Sequence, residues 1–182
     1  MQIISGKWRG KKLISPPAAQ VRPTAAKARE ALFNILESHT SLKGKTVADL
    51  FAGSGALGIE ALSRGAEKAI FVDTDLRPAK KNIHLLGAEE ASVLLKRDVL
   101  ALKEEDIQTA DLIFLDPPYS QDLARKTLAA IAGHIKKGAY IFIETENAFP
   151  AQTLPFAAAS TPLAFVKEKT HGAAKLVLLV KE

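Results

Sequence analysis

The sequence predicts a doubly wound α/β fold with a mostly parallel sheet, and three observations lead to this prediction. From residue 45 onward, apolar segments typical of strands alternate with amphipathic segments typical of helices. The segment 47–51 has the character of a strand and continues through a turn of small residues into a helical pattern at 56–64. The last apolar segments, 164–169 and 175–181, are separated only by a short loop, which predicts an antiparallel hairpin. Since helices between successive strands imply parallel crossovers, we expect seven strands, with the C-terminal hairpin closing the sheet.

The predicted elements follow one another in chain order. Two short strands, 2–4 and 11–14, flank a glycine-containing reversal and form a small N-terminal β-hairpin, and a proline-rich linker ends at Pro23. Thr24 stands at a favourable N-cap position for a helix from Ala25 to about residue 38. The remaining strands are expected near 46–51, 68–73, 92–97, 111–116 and 139–145, and the remaining helices near 56–64, 76–86, 99–106 and 121–135. We therefore divide the 182 residues into a basic N-terminal extension, 1–23, and an α/β domain, 24–182, that is large enough to contain an active site.

Composition excludes several classes of function. The chain contains no cysteine, which excludes disulfides, thiol nucleophiles and thiolate metal sites. Its four histidines are scattered without the spacing of metal ligands, so no metal is expected. The first residues do not resemble a signal peptide, and no apolar run is long enough to cross a membrane. We expect a cytoplasmic protein that needs no membrane, and no long apolar face indicates an obligate dimer.

The net charge of +5 is concentrated in the N-terminal segment. Residues 1–29 contain seven basic and no acidic side chains, and the rest of the chain holds 18 basic against 20 acidic residues. This asymmetry favours a polyanionic partner such as a nucleic acid. Trp8 lies among these cations and either stacks on a base or packs on the main domain, with equal support for both. The candidate nucleic-acid-binding residues are Lys7, Trp8, Arg9, Lys11, Arg22 and Arg29.

The glycine turn after the first strand of the main sheet predicts a ligand site. Gly53, Gly55 and Gly58 match G-x-G-x-x-G, and Asp73 lies twenty residues beyond Gly53, which suits a dinucleotide. The alternative ligand is S-adenosyl-L-methionine, whose methionine end has an ammonium group and needs carboxylate acceptors. Asp49 offers a carboxylate at this position and favours the methyl donor, unless it only caps the turn.

Acidic residues also follow the second and third strands. Asp73 ends the second strand, where a carboxylate can accept both hydroxyl groups of a ribose, and Asp75 is expected to cap the next helix. Asp98 can accept from an adenine amino group with Val99 against the ring, or it can cap the following helix. Both nucleotide cofactors would use Asp73, so this residue does not separate them.

The segment Asp116-Pro117-Pro118-Tyr119 follows a buried strand and is the most informative motif of the chain. Two prolines fix the backbone and remove two N–H donors, so the segment presents rigid acceptors. Together with the Asp116 carboxylate and the flat face of Tyr119, these acceptors suit a planar group with an exocyclic NH₂. Such a site can orient a weakly nucleophilic amine for methyl transfer, and Asp116 can accept its proton. An ordinary Pro-Pro strand terminator is the structural alternative.

These motifs resemble the cofactor and catalytic motifs of Rossmann-like class I methyltransferases that use S-adenosylmethionine to modify amino groups. Four further segments resemble the RsmD family, the bacterial 16S rRNA guanine-N2 methyltransferases. These are IISGKWRGKKL at 3–13, RPT at 22–24, REALFN at 29–34 and GIEALSRG at 58–65. The resemblance implies methylation of one guanine N2 in the small ribosomal subunit, in an assembled particle rather than naked RNA.

The resemblance also assigns residues. Catalytic residues would be Asp116, Pro117, Pro118 and Tyr119, and the cofactor would contact Asp49, Phe51, Ala52, Gly53, Ser54, Gly55, Asp73, Asp98 and Val99. One departure is Asp73, where relatives often have Glu. The rival functions are a nicotinamide oxidoreductase, an amino-methyltransferase for DNA or protein glutamine, and a non-catalytic RNA-binding assembly factor. Neither the oxidoreductase nor the glutamine methyltransferase explains the basic extension.

Overall fold

The computed structural model describes residues 1–15, 23–118, 121–146, 163–171 and 174–182. These residues form a seven-stranded sheet with helices on both faces, which confirms the predicted fold class. The strands are β1 Thr46–Leu50, β2 Lys68–Asp73, β3 Ser92–Lys96, β4 Leu112–Leu115, β5 Tyr140–Glu146, β6 Leu163–His171 and β7 Ala174–Lys181. The α-helices are α1 Pro23–Glu37, α2 Ala56–Ser63, α3 Arg77–Leu86, α4 Glu104–Ile107 and α5 Gln121–Ile131.

The strand order is β3-β2-β1-β4-β5-β7-β6, and β1 to β5 pair in parallel. Because β1 pairs with β2 on one side and with β4 on the other, the chain reverses its direction of winding between β1 and β4. In open α/β sheets, ligands bind at such a switch point, beyond the carboxyl ends of the strands. The functional site is therefore expected where β1 and β4 end.

The sheet separates two hydrophobic cores. One core joins α1, α2 and α3 to the sheet and contains Phe33, whose ring centroid lies 5.6 Å from that of Phe114 on β4. The other core contains residues of α4 and α5. Burial of apolar residues on both faces explains why the strands are nearly continuous apolar segments rather than alternating ones.

The C-terminal hairpin is present as predicted, with a strand order that its sequence did not indicate. β7 inserts antiparallel between β5 and β6, and a bulge between Phe165 and Lys167 interrupts the β6–β7 register. β7 has the more continuous apolar segment. It occupies the interior position, where both edges of a strand are paired and neither is left open.

Three helix predictions were wrong in detail. The predicted helix at 99–106 is interrupted, because Leu102 is extended between a 3-10 turn at Val99–Ala101 and α4. The helix predicted to continue to residue 135 ends at Ile131 and is followed by a 3-10 turn. α1 begins at Pro23, so Thr24 is inside the helix and is not its N-cap. Proline suits a first helical position because its backbone angle φ is already helical and no N–H partner is needed there.

The N-terminal segment forms a looser hairpin than predicted. Its two expected strands reduce to one antiparallel bridge between Gln2 and Lys12, and we call residues 1–15 the N-terminal hairpin. The intervening turn lies on α2, where Lys7 N donates to Ser63 O at 2.8 Å. A Cβ atom on Gly6 would lie 1.8 Å from that carbonyl oxygen, so only glycine permits this approach. Contacts with α2 therefore add to the few backbone hydrogen bonds within the hairpin, such as that from Ile3 N to Lys11 O at 3.0 Å.

None of the helices in the described ranges combines the length and apolar character needed to span a bilayer.

Candidate functional site

A cavity of about 750 Å³ lies at the carboxyl ends of the parallel strands. The ends of β1, β2, β4 and β5 contribute to it, so it occupies the predicted switch point. It brings together most of the site residues that the sequence predicted: Asp49, Phe51, Ala52, Gly53, Ser54, Asp73, Asp98, Val99, Asp116, Pro117 and Pro118. Gly55 packs beneath the loop rather than against the cavity, and Tyr119 falls outside the described residues.

The loop from β1 to α2 needs small residues and an unusual backbone. Phe51 has a φ angle of 62°, a conformation that non-glycine residues rarely adopt, and its side chain lines the cavity. Strained conformations of this kind concentrate at ligand sites, where surrounding contacts hold them in place. Gly55 also has a positive φ angle, 78°, and at Gly58 a Cβ atom would come within 2.4 Å of the Phe71 ring. The glycines thus allow close packing of the loop and α2 on β2.

Asp49 is buried at the floor of the cavity, with 2% of its surface exposed. Its Oδ2 accepts a hydrogen bond of 2.8 Å from the N–H of Gly58, in the first turn of α2. Burial raises the pKa of Asp49 to about 7, although the Gly58 hydrogen bond lowers it, and the charge of Asp73 raises it further. Asp49 therefore caps the turn, as the structural alternative proposed. Its carboxyl group also lines the cavity, where it could contact a cationic ligand.

Asp73 links β2 to the glycine loop. Its Oδ2 accepts from Gly53 N at 2.8 Å, and its Oδ1 accepts from Asp75 N at 3.0 Å. Oδ1 also accepts from Thr74 Oγ1 at 3.4 Å, whereas Oδ2 has a further lone pair, so a hydrogen bond from a ribose hydroxyl to Oδ2 is still possible. Asp75 accepts from Arg77 N at 3.1 Å and so satisfies a donor in the first turn of α3, as predicted, although Leu76 occupies the N-cap position itself.

Asp98 and Val99 lie on the cavity wall after β3. The Asp98 carboxylate accepts from Leu100 N at 2.9 Å and caps the 3-10 turn, so the capping alternative is confirmed. This role does not exclude an adenine contact, because both residues also face the cavity.

Asp116 follows four buried residues of β4 and opens into the cavity with Pro117 and Pro118. Solvent reaches the residue through the cavity, but its carboxyl group is surrounded by protein atoms. This burial raises the pKa of Asp116, and the charges of Glu144 and Asp49 raise it further. A perturbed carboxyl group in a cleft is typical of catalytic sites.

Glu144 on β5 is the main site residue that sequence reasoning missed. It is half-buried and lines the same cavity as Asp49 and Asp116, and burial raises its pKa while the charge of Arg29 lowers it. An acid near the end of the fifth predicted strand was visible in the sequence. Its closeness to Asp116 became apparent only from the pairing of β4 with β5.

Two residues assigned to the nucleic-acid surface are buried, and those assignments were wrong. Trp8 is 9% exposed and joins the core, and its N–H donates to Ser63 Oγ at 3.0 Å, so the packing alternative is confirmed. Arg29 is 5% exposed and lines the cavity instead of the surface. Its Nη2 donates to Gln2 O at 2.6 Å, and its Nε lies 3.9 Å from Glu60 Oε2. Helical spacing could have placed Arg29 on the inner face of α1, beside Leu32.

The other basic residues of the N-terminal hairpin are consistent with a contact surface. Lys7, Arg9 and Lys11 are exposed, whereas Arg22 falls outside the described residues. Arg9 and Lys12 line a second cavity of about 590 Å³, which shares Met1 and Arg29 with the first cavity. Basic side chains therefore border the acidic site on one side.

Histidine, aspartate and glutamate side chains do not cluster in threes suited to a metal ion anywhere in the described part of the chain.

Comparison with known proteins identifies the family. The family model described as conserved hypothetical protein 95 matches residues 1–180. A protein of Haemophilus influenzae named ribosomal RNA small subunit methyltransferase D is 36% identical over 180 residues, covering 94% of this chain and 89% of the relative. The protein of the same name from Escherichia coli K12 is 34% identical, covering 85% and 79% of the two chains.

The solved structures include a putative methyltransferase, yhhF, from Escherichia coli. It superposes with a TM-score of 0.82 and 32% identity and covers all of this chain and 98% of its own. The fold is therefore the Rossmann-like methyltransferase fold that the sequence predicted. With a family match over nearly its full length, the chain belongs to the conserved hypothetical protein 95 family, in which the RsmD methyltransferases are found.

Proposed function

We propose that this protein transfers a methyl group from S-adenosylmethionine to the exocyclic N2 amine of a guanine in bacterial 16S rRNA. The observation that supports this most directly is the joining of Asp116-Pro117-Pro118 to Asp49 and Glu144 in one cavity at the switch point. The family and its relatives, which are named as small subunit rRNA methyltransferases, support an rRNA substrate.

The residues of the cavity fit the cofactor. The cofactor supplies, when bound, an electrophilic methyl group on a positively charged sulfur. The carboxyl groups of Asp49, Asp116 and Glu144 favour a cationic ligand, because their raised pKa values reflect burial without enough nearby positive charge to offset it. Asp73 and Asp98 provide acceptors for ribose and adenine, respectively, at the ends of β2 and β3.

Asp116 and the two prolines would hold the target amine. The carboxylate and the backbone carbonyls would accept the two amine hydrogens, and this would direct the nitrogen lone pair away from these acceptors. Positioning of this kind is a large contribution to catalysis. The raised pKa of Asp116 brings its basicity closer to neutral pH, which suits a group that removes the amine proton as the new N–C bond forms. Tyr119 would add a stacking surface for the base.

The N-terminal segment would bind the rRNA backbone. We assign residues 1–23 to RNA binding, with Lys7, Arg9, Lys11 and Arg22 as phosphate contacts. Trp8 and Arg29 are omitted because both are buried. An rRNA substrate implies a cytoplasmic location, and we propose that the protein acts as a monomer on an assembled small subunit, without a metal.

One experiment tests this function against its rivals. Labelled S-adenosylmethionine is offered with naked 16S rRNA, assembled small subunits and DNA, and the modified nucleoside is identified by mass spectrometry. We expect N2-methylguanosine in the ribosomal substrates and most of it in the assembled subunits. Label on DNA adenine, or on glutamine in a protein digest of the labelled subunits, would replace this function with another amino-methyltransferase, and absence of label on all substrates would favour the non-catalytic assembly factor.

A further inference from the structure

Arg29 is a buried cation on the wall of a cavity that is otherwise acidic. The ionisable side chains that line the cavity in the described part of the chain are five acids and two arginines: Asp49, Asp73, Asp98, Asp116, Glu144, Arg29 and Arg97. Arg97 follows β3 beside Asp98 and pairs with Asp106. Arg29 is near the end of β5, because it lines the cavity together with Glu144 and the charge of Glu144 acts on it. Arg29 thus brings a cationic side chain close to Glu144 in the cavity.

The Arg29 guanidinium has hydrogen-bonding capacity that the protein does not use. Its Nη1 contacts Met1 Sδ at 2.6 Å and its Nη2 donates to Gln2 O at 2.6 Å. The buried Nε has no hydrogen-bond partner, and the nearest carboxylate oxygen, Glu60 Oε2, is 3.9 Å away. Since a guanidinium has five N–H donors in a fixed plane, about three remain available. A buried donor without a partner is destabilising, which indicates a ligand that supplies an acceptor.

The surrounding charges hold Arg29 in place without neutralising the cavity. Glu60 is 1% exposed and accepts from Ile4 N at 2.8 Å, Ser5 N at 2.9 Å and Arg64 Nε at 2.9 Å. Its charge is therefore already shared with Arg64 and with the backbone of the N-terminal hairpin. Arg29 contacts it only weakly, so its own charge is available to the cavity.

We propose that Arg29 binds the α-carboxylate of the cofactor's methionine moiety while Asp49 binds the ammonium group of that same moiety, so that the cavity selects a complete amino acid end. This inference rests on the proposed cofactor. An amino acid has opposite charges on neighbouring atoms, and an end wall of acids alone would repel its carboxylate. Arg29 and Asp49 supply one partner for each charge, and arginine is well suited to bind a carboxylate through two parallel N–H groups.

The test compares three ligands by isothermal titration calorimetry. S-adenosylhomocysteine has both charged groups, its decarboxylated counterpart keeps only the ammonium, and methylthioadenosine has neither. The intact protein should bind S-adenosylhomocysteine about 10- to 100-fold more tightly than the decarboxylated ligand, as expected for loss of a charge-assisted hydrogen bond. In Arg29→Met this preference should fall to about twofold or less, while methylthioadenosine affinity changes less than about threefold.

Two further variants separate binding from a structural role. Glu60→Gln weakens the anchor of the N-terminal hairpin but keeps the guanidinium, so it should lower thermal stability and retain the ligand preference. Arg29→Lys keeps the charge with fewer donors and should show an intermediate preference. This conservative variant still tests the inference if the methionine variant does not fold.

The outcomes are distinguishable. Equal binding of S-adenosylhomocysteine and its decarboxylated counterpart by the intact protein would overturn the role of Arg29 while the cofactor assignment stands. A preference that persists in both Arg29 variants would do the same. If the intact protein binds none of the three ligands, the proposed cofactor is wrong, and the inference fails with it.

Discussion

The acidic cavity and the N-terminal hairpin lie side by side but arrange their charges in opposite ways. The cavity acids Asp49, Asp116 and Glu144 are at the ends of neighbouring strands, and burial raises the pKa of each. The cations of the N-terminal hairpin, such as Arg9 and Lys11, are exposed on turns. The pKa values of the cavity carboxyl groups are raised, and a bound cationic ligand would lower them again. The charges of the hairpin are solvated, so salt can screen them.

The two regions also differ in what positions them. Asp49 and Glu144 lie within β1 and β5, and Asp116 directly follows β4, so the locations of these acids follow from the order of strands in the sheet. The N-terminal hairpin has a single bridge of its own and is positioned by Glu60 and Ser63 of α2, 55 residues away in sequence, and by Asn82 of α3, 68 residues away. We therefore expect substitutions in the cavity to act through individual side chains, and substitutions at the hairpin to act first through its anchor.

The largest expected effect is in the cavity. Asp116→Ala should reduce methyl transfer about 10³-fold or more, because it removes both an acceptor that positions the amine and the proton acceptor. Single-turnover rates with a saturating cofactor measure this loss, and the affinity for S-adenosylhomocysteine should change less than about fivefold. Asp122→Ala, which removes an exposed acid of α5, is the matched control and should keep the wild-type rate. A wild-type rate in the Asp116 variant would remove that residue from the mechanism.

The next effect concerns the anchor. Glu60→Ala should lower the free energy of unfolding by about 3–5 kcal/mol, because Arg64 and two backbone N–H groups of the N-terminal hairpin lose a buried carboxylate. Urea denaturation measures the change. Glu37→Ala removes the exposed carboxylate that binds the same Arg64 and should cost less than about 1 kcal/mol. Similar values for both variants would show that the hairpin is not held by Glu60.

Asp49 predicts a pH dependence of stability. Its folded pKa is about 7, above the ordinary value of 3.8, so the folded state binds more protons than the unfolded state between these pH values. The contribution of Asp49 to the free energy of unfolding is therefore least unfavourable below about pH 4. The protein loses stability as the pH rises from there to about 7. The loss is at most on the order of 4 kcal/mol.

Asp49→Asn should remove this pH dependence. Without cofactor, the variant should be more stable than the native protein at pH 8 and similar to it near pH 4, as measured by urea denaturation at each pH. It should also bind S-adenosylhomocysteine more weakly, because the ammonium group loses its charged partner. A constant stability difference across this pH range would contradict the raised pKa.

The smallest effect is expected at the hairpin surface. Charge reversal of Arg9 and Arg22 should weaken RNA binding about tenfold and reduce the slope of its salt dependence by roughly 0.7–0.9 for each phosphate that the variant no longer neutralises. The matched control reverses Arg125 and Lys137, which are both exposed, and the helix that carries Arg125, α5, packs on the other face of the sheet from the hairpin. Equal weakening in both double variants would indicate a general charge effect rather than a binding surface.

The fold was predictable because local patterns and global topology agree. The alternation of strands and helices indicated the parallel sheet, and the glycines at 53, 55 and 58 marked the ligand loop. The interruption at Leu102 was not predictable from helical spacing, since it depends on Asp98 capping one short turn and Lys103 starting another helix. The central position of β7 was equally hidden, because a hairpin pattern does not say which of its strands pairs with the sheet.

The chemical character of the candidate site could be predicted from the sequence, but the complete set of residues that line it could not. Asp49, Asp73 and Asp116 could be identified because each lies at or near the carboxyl end of an apolar strand and parallel strands end at one edge. Glu144 and Arg29 required the packing of β5 and α1 around that edge. Trp8 shows the same limit, because its cationic neighbours in sequence suggested a surface role although its ring is in the core.

By itself, the sequence determined which strands end in acids and where the backbone needs glycine, since both follow from residues close together along the chain. Only the tertiary structure decided that the N-terminal hairpin lies on α2 and that Arg29 faces the cavity. The hairpin is held there by the buried carboxylate of Glu60, and Arg29 is held by the carbonyl oxygen of Gln2, so both depend on contacts between residues distant in sequence. Such long-range contacts with a buried charge leave no local pattern in the sequence, because the same charged residue types also occur on ordinary solvated surfaces.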